Sequence, residues 1–126
     1  MKEKTLRVLY VEPMKTPVVK DVKDNLTTYQ QMVGGHIQLL YPFSENVGVV
    51  CNDEGKLLNL PPNRLLRDEN TGKPYDVLCG NFFVVGLKDD DFCSLTEDQV
   101  KKYHRMYDRE RLLAIPKEKT EKPKER

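Results

Sequence analysis

Apolar positions along the chain fall into short runs divided by turn residues, and two stretches carry a helical period. Leu6 to Val11 is apolar on both faces apart from Arg7 and predicts an interior strand. Glu12 to Pro17 holds two prolines and predicts a turn. In the extended piece that follows, Val18, Lys20 and Val22 share one side, so Leu6 to Val22 is expected to form a β-hairpin. Asp24 and Asn25 are suited to cap a helix, because their side-chain oxygens accept from its first free amides. Leu26, Tyr29, Met32 and Val33 then recur at helical spacing. Gly34 takes the left-handed position that ends such a helix. A helix over 25–33 is expected, formed by packing on a sheet more than by propensity.

His36 to Tyr41 and Val47 to Cys51 read as further strands. Asn52-Asp53-Glu54-Gly55 has the composition of a hairpin loop, with Gly55 at positive φ. Lys56 to Leu60 is expected to return as the partner strand, stopped by Pro61-Pro62, which cannot donate to a ladder. That leaves Pro61 to Arg64 as a loop, with the stretch from Asn52 to Arg64 lying over the middle of the sheet. Arg67 to Pro74 predicts an exposed loop. Tyr75 to Leu87, the most apolar run, is either one deep strand or two halves joined at Gly80-Asn81, where a bulge or close backbone approach is expected. Asp89 to Asp91 is a solvated acidic turn, since calcium loops alternate their ligands and end in a glutamate. Thr96 and Gln99 form a capping box, with Leu95 and Val100 as its staple. Val100, Tyr103 and Tyr107 give that helix its packing stripe, and Pro116 blocks its continuation.

Together these elements predict an α+β fold, a mainly antiparallel sheet of about five strands with two helices packed on one face. One domain is expected over 1–116, followed by a disordered charged tail over 117–126, which cannot bury enough apolar area to order itself.

Charge narrows the partners. The 126 residues carry 21 basic and 20 acidic side chains, a net charge of +1, with the excess in the tail. Nucleic-acid domains show a stronger basic bias, so nucleic acid is an unlikely partner, reachable only through the tail or the Lys101-Lys102 face. The apolar runs are too short for a membrane span, and a cytoplasmic location is expected. Cys51, Cys79 and Cys93 lack C-x-x-C spacing and read as reduced, buried small hydrophobes. His36 and His104 stand far in sequence from any cysteine, so neither a metal set nor a nucleophile–base pair is expected. No phosphate-binding glycine motif occurs, and no cofactor is expected. The aromatic residues read as core, not as a base-stacking platform.

Asn63 and Arg64 are the leading candidate site residues. The guanidinium is a rigid fork suited to phosphate or carboxylate, and the preceding prolines limit loop freedom. The alternative is that Asn63 caps a turn or helix at Leu65-Leu66 while Arg64 pairs with a nearby acid. Lys15, Gly35 and Asn81 complete the candidate set, with the loops around Lys15, Gly35 and Asn63-Arg64 expected to be presented to a partner.

Glu12-Pro13-Met14-Lys15, Val33-Gly34-Gly35, Asn52 to Lys56, Leu60-Pro61-Pro62-Asn63-Arg64 and Gly80 to Gly86 occur in an order and spacing that resembles the uncharacterised family DUF3846. The resemblance spans about Leu6 to Tyr107 and departs at Met14, where the family tends to have glycine. It implies an origin in Gram-positive bacteria, their phages or mobile elements, and it brings no catalytic residues. The expected function is a non-enzymatic binding module acting on a host or mobile-element protein in host takeover or counter-defence. The rival is a nucleotide-signal binder, with Arg64 on phosphate and Tyr41 or Tyr75 stacked on the base.

Overall fold

The computed structural model describes residues 4–111. The reading of 117–126 as a disordered tail, and of Pro116 as a stop, lies outside them. Strands β1 (Thr5–Val11) and β2 (Val18–Lys23) form the expected antiparallel hairpin, with Leu9 opposite Val19. In the connecting turn Met14 sits at φ 64°, a left-handed conformation that glycine adopts more cheaply. Helix α1 (Leu26–Val33) starts where Asn25 accepts from Thr28 N–H and ends at left-handed Gly34. Tyr29 and Val33 are buried as expected, but Leu26 is exposed.

Strands β3 (Ile37–Leu40) and β4 (Val47–Asn52) follow, then β5 (Pro62–Arg67), β6 (Pro74–Cys79), β7 (Phe82–Lys88) and the short β8 (Asp91–Cys93). The main sheet runs β2-β1-β7-β4-β3, with β8 beside the far half of β7, and every pairing in it is antiparallel. Strands β5 and β6 form a separate two-stranded ribbon. Helix α2 (Glu97–Arg109) begins with the expected Thr96–Gln99 capping box. Among the described residues, no helix is long and apolar enough to cross a membrane.

Strand alternation divides the core in two. Leu6, Val8, Val50, Phe83 and Val85 face α1, where they pack with Tyr29 and Val33. Leu9, Val11, Val47, Val49, Phe82 and Val84 face the other way, against Tyr103 and Tyr107 of α2 and Leu66 and Leu78 of the ribbon. The α+β class holds, but the helices lie on opposite faces, not on one. The physical reason is already in β1 and β7: strands apolar on both faces need cover on both.

Residues 56–60 depart further from expectation. They form turns instead of a strand, because both edges of β4 are already taken by β3 and β7. The positive φ falls at Asn59 (57°), not at Gly55. Gly55 is needed for space, since a Cβ there would stand 2.6 Å from the Cys79 carbonyl oxygen. Pro62 opens β5, as a proline can at the first residue of a strand. The run Tyr75 to Leu87 divides at Gly80-Asn81, its halves in different sheets. Asp89 and Asp90, both at positive φ, make the two-residue turn into β8.

Glu45, between β3 and β4, ties that connection to α2. Its carboxylate accepts from the Tyr103 hydroxyl, from Lys102 Nζ at 2.9 Å and from Gln99 Nε2 at 3.2 Å. The tyrosine and lysine hydrogen bonds hold its pKa at about 2.

Candidate functional site

Asn63 and Arg64 are not in a loop. They lie in β5 and are 3% and 1% exposed. Asn63 Nδ2 donates to the Val11 carbonyl at 3.0 Å and to the Gly80 carbonyl at 2.9 Å. Its Oδ1 accepts from Arg64 Nη1 at 2.7 Å. Arg64 Nε donates to the Tyr107 carbonyl at 2.9 Å, Nη1 to the Asn63 carbonyl at 3.1 Å, and Nη2 to the Lys15 carbonyl at 2.7 Å. The pair thus joins the end of β1, the β1–β2 turn, the β6–β7 turn and the last turn of α2.

Burial pulls the Arg64 pKa down, and the field of Glu110 opposes it. A guanidinium starts high enough to stay charged through such a shift. Its charge is solvated by main-chain dipoles in place of water, which offsets the cost of burial. Neither sequence alternative describes this arrangement: Asn63 caps no helix at Leu65-Leu66, and Arg64 bonds carbonyls instead of pairing with an acid.

Three of the five candidate residues, Asn63, Arg64 and Lys15, meet here. Lys15 contributes its carbonyl, while its exposed ammonium stands 3.9 Å from Glu12. Asn81, next to Gly80, donates to the Tyr10 hydroxyl at 2.9 Å, and that hydroxyl donates to the Met32 carbonyl at 3.1 Å. Gly35 lies apart, beside buried Asn52. A Cβ on Gly35 would stand 2.8 Å from Asn52 Nδ2, which donates to the Val33 carbonyl at 3.1 Å. Asn52 Oδ1 accepts from Glu54 N–H at 2.7 Å, so one side chain ties the exit of α1 to the turn after β4.

An open concavity lies elsewhere among the described residues. A groove of about 520 Å³ lies between the ends of β3 and β4, the turns at 53–57, and β6. Leu40 and Cys51 contribute to its lining, together with Tyr41, Leu57 and Tyr75, which are 70%, 77% and 62% exposed. Asp53, Glu54, Lys56 and Asp76 also line it, and Lys56 forms an ion pair with Asp76 inside it. Burial works against ionisation of Asp76, but the bonds from Lys56 and from Val77 N–H outweigh it and lower its pKa. Burial pushes the Cys51 thiol up to about 11 and raises that of Cys79, so both stay protonated at neutral pH and are weak nucleophiles.

The sequence reading of the aromatic residues as core fails at Tyr41 and Tyr75, which are exposed, and it gave the groove-lining Leu57 to a strand and Asp53-Glu54 to a hairpin loop. The legible signal was Leu57-Leu58, two adjacent large apolar residues directly after the turn residues 52–55, where a half-exposed strand would alternate.

A smaller cavity of about 270 Å³ lies between β5, α2 and Pro42-Phe43. The Arg67–Glu110 ion pair, at 3.0 Å, joins β5 to the end of α2 at its border.

The model of the family described as a domain of unknown function (DUF3846) matches residues 6–108, and the chain belongs to that family. No curated protein matches the chain. No solved structure matches it.

Proposed function

We propose that this DUF3846 member is a non-enzymatic binding protein of a phage or mobile element. Its target is a host or element protein, held at the groove beside Tyr41 and Tyr75, and its biological role is counter-defence. The observation that carries the reading is the cluster of exposed large apolar side chains around one concavity. Tyr41, Leu57 and Tyr75 line the groove, and Leu58 stands next to it in the chain. Solvated apolar residues gathered at a concave surface mark binding sites far more often than scattered ones do. The raised thiols of Cys51 and Cys79 favour binding over covalent chemistry at the same place.

Affinity capture from a Gram-positive lysate, with wild-type and Tyr41→Ala/Tyr75→Ala chains side by side, tests this. A stoichiometric protein retained by the first and lost by the second supports the reading. Equal retention by both would move the site off the groove.

The nucleotide reading keeps one supporting observation, since Tyr41 and Tyr75 line the same groove. It loses Arg64, whose donors are held by main-chain carbonyls in the interior. A thermal shift against nucleotides separates the two, because a ligand at 100 times its dissociation constant adds about 2.7 kcal/mol.

A further inference from the structure

We infer that the groove takes a basic peptide segment of its protein partner, seating a lysine or arginine side chain between Tyr41 and Tyr75 and against Asp53 and Glu54. This rests on the groove being the binding site and names the chemistry of its occupant.

Charge sets the sign. Asp53, Glu54 and Asp76 line the groove against Lys56 alone, which leaves a local excess of two negative charges. Asp53 and Glu54 both lie at the solvent-exposed turn and enter none of the ion pairs found among the described residues. A phosphate-bearing ligand would meet these carboxylates, and the buried Arg64 is not available to offset them. A cationic side chain meets complementary charge instead.

The groove already holds one cation of its own. Lys56 reaches from the turn to the Asp76 carboxylate, showing that an ammonium is stabilised in this setting. Tyrosine rings add to that preference, because the face of an aromatic ring attracts a cation, most strongly where water is displaced. The same attraction operates elsewhere in this chain, where Lys20 Nζ lies 4.6 Å from the Tyr10 ring centroid.

The apolar surface calls for more than a lone cation. Leu57, with Leu40 and Val77 in the lining, suits the aliphatic stem of lysine or arginine and an apolar neighbour in the same segment. The Asp76 carboxylate already takes the Val77 N–H, so this part of β6 offers side chains more than a free ladder. Recognition is therefore by ring, carboxylate and apolar contact.

The test is fluorescence anisotropy of the full chain with a short labelled peptide of alternating arginine, alanine and leucine. A twin peptide carrying glutamate for each arginine serves as the control. The basic probe should bind and weaken with added salt, and the acidic twin should not bind. Tyr41→Ala/Tyr75→Ala should weaken binding by about tenfold, equivalent to roughly 1.4 kcal/mol. Asp53→Asn/Glu54→Gln should weaken it by roughly fivefold, with the circular dichroism of both variants unchanged.

Equal binding of the twin, indifference to both double variants, or displacement of the probe by ATP would each overturn the assignment. If probe binding appears only after the basic residues of 117–126 are changed to glutamine, the occupant is the chain's own tail and not a partner. The two readings fail differently. Loss of the lysate protein with Tyr41→Ala/Tyr75→Ala, but no binding of the basic probe, leaves the groove standing and removes only its chemistry.

Discussion

Asn63 and Arg64 turn their donors inward onto the carbonyls of Val11, Lys15, Gly80 and Tyr107, whereas Tyr41, Leu57 and Tyr75 keep most of their surface in solvent. The first group has the chemistry usually sought in a binding site and is used to hold four segments together. The second has the chemistry usually assigned to a core and is left on the surface. The difference teaches that residue type alone does not locate function. What separates the two is whether each side chain's interactions are completed within the fold.

The largest expected effect comes from the buried region. Arg64→Ala leaves the carbonyls of Tyr107 and Lys15 without that donor and removes a long packed stem, so a loss of about 4 kcal/mol is expected in chemical denaturation. Unchanged stability with lost partner binding would break the contrast. Gly35→Ala comes next, at about 1–2 kcal/mol, because its Cβ must displace the Asn52 amide from Val33.

Acid sharpens the picture through Glu45. The folded chain holds its carboxyl at about 2 against an ordinary value of 4.5. Between those values the unfolded state binds more protons, so the Glu45 contribution is present above about pH 4.5 and is lost as pH falls toward 2. Glu45→Gln should flatten the stability profile across that window when unfolding is followed by circular dichroism. A variant as steep as the wild type would show that other carboxylates govern it.

The smallest effect belongs to the groove. Tyr41→Ala and Tyr75→Ala should each change unfolding free energy by no more than about 0.5 kcal/mol, since exposed side chains contribute little to the fold. A larger loss would mean that these rings serve as structure.

Much of the fold was legible because its signals were local. Asn25 with Gly34, and Thr96 with Gln99, bracket or start their helices by hydrogen bonds that a sequence spells out. The β1–β2 hairpin needed only a turn between two extended runs. Residues 56–60 misled because a short apolar run after turn residues fits a returning strand, while the decisive fact, that β4 has no open edge, lies in β3 and β7. Asn63 and Arg64 misled for a related reason. Their polarity suggested solvent, but the carbonyls that complete them belong to segments as distant as Val11 and Tyr107. The groove was less legible still, since it is assembled from β3, β4, the turns at 53–57 and β6.

The most direct test of this division is urea unfolding of Arg64→Lys, followed by far-ultraviolet circular dichroism. Lysine keeps the charge but cannot reproduce the fork that reaches the Tyr107, Asn63 and Lys15 carbonyls together. A lowered midpoint with an unchanged slope, equivalent to a loss of about 2–3 kcal/mol, is the predicted result. An unchanged midpoint would mean that the fork is not needed for the fold, and would return Arg64 to the list of residues free to hold a ligand.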